Sequence, residues 1–329
     1  MKAVVLERFG GPEVLEVREV PSPRPREHEI LVRVRAAGIN RADLLQRQGK
    51  YPPPKDAPQQ IPGLEFAGEV AALGPKATKW SVSDRVFGIA GGGAHAEMLV
   101  THERQVAAIP RTLDWVQAAT VPEAFITAHD AVWKQAELAA GENLLIHAIG
   151  SGVGVAAAQL GAARGAKVYG TSRTQEKLDR AREFGMSDGI ALGKDLAALA
   201  ERVKSWTGGH GADVVLDLVG GPYVPASIEC MALKGRLLLV GTVAGGKAEV
   251  ALGQVMSRRM KIIGTVLRSR ALEEKIAATE AFASDVIPLL TAGKLCPVVD
   301  SAFPLAEVQA AHRRVEANET FGKVVLRMD

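Results

Sequence analysis

The sequence predicts a two-domain α/β fold, in which a β-rich domain is joined to a doubly wound parallel sheet. The chain has 329 residues, more than the roughly 250–300 that one hydrophobic core usually serves. Its first third carries short extended runs separated by turn residues. From about Glu142 onward, short apolar runs alternate with helical segments, which is the pattern of a parallel sheet covered by helices on both faces.

The first third is predicted to be a set of half-buried strands. Residues 14–20 and 30–36 alternate apolar with charged side chains, which is the period of a strand with one buried face. The proline-rich residues 21–25 separate them as a turn or stiff connection. The segment Tyr51-Pro52-Pro53-Pro54 is expected to be neither regular helix nor central strand.

The second part of the chain is predicted to alternate strands and helices. The expected strands are residues 144–148, 167–172, 190–192, 214–217, 237–240 and 261–267. The expected helices are residues 155–164, 175–184 and 196–206. One long helix over residues 272–290 should then lead to an extended segment at 298–302 and a final strand at 323–327 that returns to the first domain.

Composition excludes several classes of protein. Two cysteines, Cys230 and Cys296, cannot build a disulfide framework or a Cys-x-x-Cys zinc site. Glu7 and Arg8 interrupt the N-terminus too early for a signal peptide, and the apolar runs are too short to span a bilayer. The net charge of +3 is small for a protein that binds nucleic acid. A cytoplasmic protein without a membrane partner is therefore expected.

A glycine-rich turn between a strand and a helix predicts a dinucleotide site. Gly150, Ser151, Gly152, Val153 and Gly154 follow the first apolar strand of this part of the chain. Glycines there allow the backbone to approach a pyrophosphate, and a helix N-terminus directs N–H groups at it, as in Rossmann folds. The alternative is a glycine-rich turn without a ligand, since the motif is imperfect.

The end of the next strand predicts which dinucleotide binds. An NAD site usually has a carboxylate there for the ribose hydroxyls. This chain has Ser172 and Arg173, with Lys177 one helical turn further, and its nearest acid, Glu176, lies inside the helix. A hydroxyl and two cations suit a 2′-phosphate. The pattern therefore favours NADPH, although a solvated helix start would look similar.

The whole chain resembles the medium-chain dehydrogenase/reductase superfamily, and within it the zinc-free quinone oxidoreductases related to zeta-crystallin. Among these it is most similar to the tumour-suppressor-inducible branch and its bacterial relatives. The motifs that carry the resemblance are residues 40–51, 61–65, 148–154, 267–270 and 316–318. The resemblance implies a GroES-like catalytic domain formed by residues 1–123 and 267–329, and a Rossmann NADPH-binding domain at 124–266.

The resemblance also predicts that no metal is bound. Zinc enzymes of the superfamily have a cysteine where Asn40 stands and a histidine where Leu64 stands. An apolar side chain cannot ligate zinc. Glu65 is then expected to make a buried structural hydrogen bond, and the histidines at 95, 147 and 210 to be structural or solvated.

Without zinc, the acceptor must already be electrophilic, such as a quinone or an enone. The resemblance implies that Tyr51 and Ser151 line the reaction centre, and Asn40 or Tyr51 could hydrogen-bond a developing oxyanion. Each has a structural alternative. Tyr51 could pack beside the prolines, Asn40 could cap a helix with Asp43 in its first turn, and Ser151 could simply be a small residue.

The resemblance implies further cofactor contacts by Thr127, near the nicotinamide, and by Gly241, Leu267 and Asn318. One departure concerns the adenosine. Relatives tend to have a tyrosine after the third strand, where this chain has Leu192-Gly193-Lys194. Arg268 and Arg270 are expected to form an interface or cofactor-edge patch, or a solvated strand end.

The sequence therefore favours an NADPH-dependent quinone reductase. A 2-alkenal or enoyl-thioester reductase is the alternative enzyme, and an NADPH-binding sensor or RNA-binding protein the alternative of another class. Aromatic residues make up 5% of the chain, too few for the stacking surface of a typical RNA binder. By resemblance, a homodimer is expected, formed through the edge of the strand predicted at residues 261–267.

Overall fold

The computed structural model describes residues 1–193 and 195–328, so that Lys194 and Asp329 lie outside it. The chain divides into two compact units. The first unit contains residues 1–126 and the chain from Leu267 onward, and the second unit contains Thr127–Val266. The sequence-based division assigns residues 124–126 to the Rossmann domain, whereas here they belong to the first unit. The limits of independently folding domains stay a prediction.

The described residues form fifteen strands. In chain order these are β1 (Lys2–Leu6), β2 (Leu15–Glu19), β3 (Glu29–Ile39), β4 (Glu65–Leu73), β5 (Arg85–Ile89), β6 (Met98–His102), β7 (Val106–Ala108), β8 (Asn143–Ile146), β9 (Lys167–Ser172), β10 (Met186–Ala191), β11 (Ala212–Asp217), β12 (Met231–Leu239), β13 (Lys261–Gly264), β14 (Val299–Pro304) and β15 (Lys323–Arg327).

The same residues form eleven α-helices and two π-helical segments, Pro122–Ile126 and Asp130–Gln135. The α-helices are α1 (Arg41–Arg47), α2 (Trp115–Ala118), α3 (Thr127–His129), α4 (Gly152–Ala163), α5 (Gln175–Arg182), α6 (Ala198–Trp206), α7 (Tyr223–Cys230), α8 (Leu252–Ser257), α9 (Leu272–Asp285), α10 (Ile287–Thr291) and α11 (Val308–Glu316). None of the helices in the described part of the chain combines the length and apolarity that a bilayer crossing requires.

The second unit is built on a six-stranded parallel sheet. Its strand order is β10-β9-β8-β11-β12-β13, and every neighbouring pair runs parallel. Strand β8 is fully buried, as expected when helices cover both faces of a sheet. The chain builds outward from β8 on one side and from β11 on the other, so the carboxyl ends of these two strands flank the crevice where such sheets bind ligands. The predicted doubly wound Rossmann fold is confirmed.

The first unit is β-rich and GroES-like, as predicted. Its main sheet has the order β14-β15-β3-β4-β5-β7, and β6 also pairs with β3. The final strand, β15, pairs antiparallel with β3, with Val324 opposite Ile39. This register brings Lys323 to the start of α1, where the polar cluster described below is formed.

Several element boundaries differ from the sequence prediction, and three of the differences have a clear physical reason. Helix α4 begins at Gly152 rather than at residue 155, because Ser151 caps it. Strand β13 ends at Gly264 rather than at Leu267, and the next residue, Thr265, is held by a hydrogen bond from Gln135 (2.7 Å). The long helix predicted over residues 272–290 is two helices, because Pro288 cannot continue α9 and instead lies in the first turn of α10.

Candidate active site

The glycine-rich turn joins β8 to the N-terminus of α4. Ser151 is the N-cap residue, and its Oγ accepts a hydrogen bond from the N–H of Gly154 (3.1 Å). Gly154 has to lack a side chain, since a Cβ there would lie 2.6 Å from the carbonyl oxygen of Ala148. The N–H of Ile149 donates to the carbonyl of Thr171 (3.0 Å), which fixes the turn beside the end of β9. The N-terminus of this twelve-residue helix therefore forms a site suited to an anionic ligand.

Ser151 has a structural role that the sequence did not predict. Its oxygen accepts the capping hydrogen bond, so the hydroxyl proton remains available to donate to a ligand. Gly150 precedes this cap in the turn, and Gly152 and Val153 open the first turn of α4. The capping role and the predicted position at the reaction centre are compatible, and the second stays a prediction.

The residues predicted to select the cofactor lie at the end of β9. Ser172 is the last residue of β9 and is buried, Arg173 is exposed, and Lys177 is half-buried in the first turn of α5. The bond between Ile149 and Thr171 brings this strand end next to the glycine-rich turn. Two cations and a hydroxyl are thus placed one strand away from the helix N-terminus.

Asp217, at the carboxyl end of β11, is a polar site residue that the sequence reasoning missed. It is fully buried, and its Oδ1 accepts hydrogen bonds from the N–H groups of Val219 and Gly220 (2.8 Å each). Its Oδ2 has no hydrogen-bond partner among the described residues, and burial raises the pKa of the carboxyl. Gly241, predicted to contact the cofactor, lies beside it and donates its N–H to the Asp217 carbonyl (3.3 Å). The sequence does contain a signal for this residue, because Asp217 is the acid that ends an apolar stretch of the parallel strand β11.

His147 connects three elements behind this edge of the sheet. Its Nδ1 lies 3.0 Å from Thr171 Oγ1, and its Nε2 lies 2.8 Å from Ser227 Oγ. Because Ser227 donates its own proton to the carbonyl of Tyr223 (2.6 Å), Nε2 must donate to Ser227 and Nδ1 must accept from Thr171. Burial lowers the pKa of His147 to about 3. It is a neutral, structural histidine, as predicted.

Thr127 is the first residue of the second unit and offers an unused polar group. It is buried, and its Oγ1 has no hydrogen-bond partner among the described residues. An unsatisfied buried hydroxyl costs free energy unless a ligand or water completes its bonding. This fits the predicted contact with a polar cofactor.

In the first unit, Asn40 belongs to a buried polar cluster. It is the N-cap residue of α1, and its N–H donates to Asp43 Oδ2 (2.8 Å). Its side-chain amide donates to Glu65 Oε1 (2.9 Å) and accepts a hydrogen bond from Lys323 Nζ. Lys323 also lies 2.5 Å from Glu65 Oε1 and 3.0 Å from the carbonyl of Ile39. Asn40 takes the predicted N-cap position, but its side chain bonds Glu65 and Lys323 in place of a helix N–H. The buried bonding of Glu65 is confirmed, whereas a catalytic role for Asn40 stays a prediction.

This cluster does not offer the ligands that zinc prefers. Leu64 is buried and apolar, and both ends of the Asn40 amide are already bonded. The ammonium of Lys323 lies against Glu65 and Asn40, and a cation there would repel a metal ion. Across residues 1–193 and 195–328, no group of three His, Cys, Asp or Glu side chains is arranged to hold a metal.

Tyr51 packs its ring against the guanidinium of Arg268, with the carbon of the guanidinium 5.2 Å from the ring centre. Arg268 is buried and donates to the carbonyl of Gly91 (2.8 Å) and to Gln46 Oε1 (2.6 Å). Arg268 therefore connects α1 to the loop at Gly91, and the solvated strand end considered for it is wrong. The hydroxyl of Tyr51 makes no hydrogen bond within the described residues. Burial raises the pKa of this phenol.

The remaining predicted contacts also lie in the first unit. Leu267 is buried. Asn318 has a positive φ of 60°, and its side chain accepts from Arg41 and donates to the carbonyl of Glu316 (2.8 Å). At the adenosine position, Leu192 is part of the hydrophobic core of the second unit, and Lys194 lies outside the described residues. The predicted site residues are divided between the units. The second unit contains Thr127, the glycine-rich turn, Ser172, Arg173, Lys177 and Gly241, and the first unit contains Asn40, Tyr51, Leu267 and Asn318.

Comparison with known proteins finds similarity to dehydrogenases and reductases in sequence and in structure. Residues 26–111 match the alcohol dehydrogenase GroES-like domain, and residues 152–284 match the zinc-binding dehydrogenase family. A quinone oxidoreductase of Pseudomonas aeruginosa is 33% identical over 99% of both chains. Among solved structures, the Escherichia coli quinone oxidoreductase complexed with NADPH superposes with a TM-score of 0.89 at 28% identity, covering 100% of both chains. The CurK enoyl reductase gives a TM-score of 0.87 at 27% identity, covering 100% of this chain and 99% of its own.

Proposed function

The chain is an oxidoreductase that belongs to the quinone oxidoreductase family of the medium-chain dehydrogenases and reductases, and we propose that it reduces quinones with NADPH and without zinc. The observation that carries the cofactor part is the end of β9. Ser172, Arg173 and Lys177 are found there, where an NAD site would have a carboxylate. When bound, NADPH supplies the hydride.

The residues of the second unit fit each part of this cofactor. The N-terminus of α4 and the backbone of residues 150–154 bind the pyrophosphate. Arg173 and Lys177 neutralise the 2′-phosphate, and Ser172 donates a hydrogen bond to it. The unpartnered hydroxyl of Thr127 accepts from, or donates to, the carboxamide of the nicotinamide. The E. coli relative complexed with NADPH supports the same choice of cofactor.

Titrating the protein with NADPH and NADH tests this assignment. We expect tighter binding of NADPH and loss of that preference in the variant Arg173→Ala/Lys177→Ala, because both cations face the extra phosphate. Arg180→Ala, in the last turn of α5, is the matched control and should keep the preference. Equal affinity of the wild-type protein for both cofactors would contradict the proposal.

Quinone as the acceptor is supported by two full-length relatives, 33% and 30% identical to this chain, that are both named quinone oxidoreductases. Without a metal, the chain has to stabilise the charge that develops on the acceptor oxygen by hydrogen bonding. The Tyr51 hydroxyl can do so, since its ring is held by Arg268 while its O–H is unused within the described residues. Activity that disappears with chelators would count against a reaction without zinc.

A second candidate is an enoyl or 2-alkenal reductase, because the CurK enoyl reductase is nearly as similar in structure as the quinone oxidoreductases. NADPH oxidation with an ortho-quinone, a para-quinone and an acrolein-like enal separates the two. Preference for quinones supports the first function, and preference for the enal supports the second. If no acceptor is turned over, both are wrong.

We also propose a homodimer formed through β13. This strand pairs with β12 on one side and ends the described sheet on the other. Ile262 in it is 41% exposed, and an edge strand with exposed apolar residues favours pairing with another copy. Sedimentation should show a dimer at micromolar concentration, and a monomer there would reject the proposal.

A further inference from the structure

Arg268 is a buried cation of the first unit that has no carboxylate as a direct partner. Its exposed fraction is 5%, and within the described residues it forms no ion pair. Asp43 and Glu123 act on it electrostatically, but neither carboxylate bonds to it. Burying a charge without a paired countercharge costs free energy. An apolar side chain of similar length would avoid this cost, so the retained charge indicates a function for Arg268.

Three different nitrogens of Arg268 fix the orientation of its guanidinium. Nε donates to the carbonyl of Gly91 (2.8 Å), Nη2 donates to Gln46 Oε1 (2.6 Å), and Nη1 donates to the carbonyl of Tyr51 (3.4 Å). Because the guanidinium is planar and rigid, these bonds prevent it from turning. The ring of Tyr51 lies against this fixed group, with the guanidinium carbon 5.2 Å from the ring centre, which is within the range of a cation–π contact.

The segment that carries Tyr51 has little other support. It belongs to no helix or strand, and the three prolines that follow Tyr51 have no N–H to donate. Among the described residues, the bond from Arg268 is the only hydrogen bond to the backbone of residues 51–53. Arg268 therefore holds Tyr51 by its backbone and by its ring at once.

The charge of Arg268 also acts on the phenol of Tyr51. Burial raises the pKa of this phenol, and Arg268 opposes that effect. A cation beside the ring stabilises negative charge that develops on the phenol oxygen, and this makes the hydroxyl a stronger hydrogen-bond donor. The same contact can thus set both the orientation and the donor strength of Tyr51.

We propose that Arg268 is a positioning residue for the reaction: it holds Tyr51 in one orientation towards the acceptor, and its charge strengthens the hydrogen bond that the Tyr51 hydroxyl donates to the acceptor oxygen. The inference rests on the proposed function, in which Tyr51 is that donor. Arg268 acts through Tyr51, so the effect of removing it on the reaction depends on the phenol.

A double-mutant cycle in steady-state kinetics tests this dependence. Arg268→Met keeps an unbranched side chain without the charge or the donors, and it should lower kcat for a quinone about 10-fold or more while the Kd for NADPH stays unchanged. In the Tyr51→Phe background the same substitution should have little further effect on kcat, because the hydroxyl that Arg268 serves is gone. Arg268→Lys should restore part of kcat, since an ammonium keeps the charge but lacks the planar set of donors.

Arg85→Met is the matched control for this cycle. The guanidinium of Arg85 lies over the ring of Trp115 (4.2 Å) and donates to the carbonyl of Leu113 (2.8 Å), so it makes the same two kinds of contact with another aromatic residue. This substitution should leave kcat unchanged. If Arg268→Met lowers kcat by the same factor with and without the Tyr51 hydroxyl, or no more than Arg85→Met does, the proposal is overturned.

Fluorine NMR of the protein labelled with 3-fluorotyrosine tests the contact without any substrate. The chain has three tyrosines, and Tyr51→Phe identifies the resonance of Tyr51. Arg268→Met should shift or broaden that resonance and raise the pH at which it titrates, while the two tyrosines of the second unit stay unchanged. A Tyr51 resonance that is the same in both proteins would show the proposal to be wrong. If the wild-type protein reduces no quinone, the proposed function fails, whereas this spectrum still decides whether Arg268 holds Tyr51.

Discussion

Replacing Lys323 with methionine tests whether one buried cation holds the first unit together. The ammonium lies 2.5 Å from Glu65 Oε1, and it donates to the carbonyl of Ile39 and to Asn40. Lys323 is 6% exposed and Glu65 is 0% exposed, so water cannot solvate the carboxylate of Glu65 once the ammonium is removed. Removing one partner of a buried ion pair costs about 3–5 kcal/mol, because the other charge is left without compensation. We expect Lys323→Met to lower the free energy of unfolding by that amount.

Urea unfolding followed by circular dichroism measures this loss, and amide hydrogen exchange in β3 and β15 reports the first unit alone. The control is Lys76→Met. Lys76 and Glu27 form an ion pair of 2.5 Å in which both side chains are more than 60% exposed, so this substitution should not measurably change the free energy of unfolding. Adding Glu65→Gln to Lys323→Met should recover most of the stability, because no buried charge remains, the Gln oxygen can accept from the N–H of Glu123, and its NH2 group can donate to the Asn40 Oδ1 that Lys323 no longer occupies. The reasoning fails if Lys323→Met resembles the control, or if the double variant is less stable than the single one.

Three further outcomes follow from the site. Tyr51→Phe should keep the packing on Arg268 and the unfolding midpoint but lower kcat for quinones, and an unchanged kcat would argue against a donor role for the phenol. Ser151→Ala removes the cap of α4 and should cost about 1 kcal/mol and weaken NADPH binding measured by titration. Acid should destabilise the second unit, because His147 titrates at about 3 when folded and near 6.5 when unfolded. Protons then favour the unfolded state below pH 6.5, so the free energy of unfolding obtained from urea titrations should fall by about 1.4 kcal/mol per pH unit down to pH 3. His147→Asn should lose that dependence, and an unaltered slope would contradict it.

Local patterns were sufficient to predict the second unit. The glycine-rich turn follows a buried strand and opens a helix. Ser172 and Arg173, at the end of β9, are neighbours in the chain. Periodicity therefore predicted both the parallel sheet and the place of Ser172 and Arg173 at its edge. Two local signals were read incorrectly. Pro288 divides the long helix, and the apolar residues after Gly264 are not part of β13.

The polar cluster of the first unit could not be predicted in the same way. Glu65 and Lys323 are 258 positions apart, and nothing in either local sequence shows that strand register brings them together. The same holds for Arg268, whose partners Gln46 and Gly91 are 222 and 177 positions away.

The position of β15 affects how a newly synthesised chain acquires its structure. This strand lies between β14 and β3 in the interior of its sheet, although it follows the other fourteen described strands in the chain and is synthesised after them. The six strands of the parallel sheet are complete well before that moment, so a nascent chain should already hold a finished nucleotide-binding half while the flanking half still exposes its apolar residues. Stalled or prematurely terminated chains would therefore be partly folded proteins that chaperones and proteases recognise at their unfinished half.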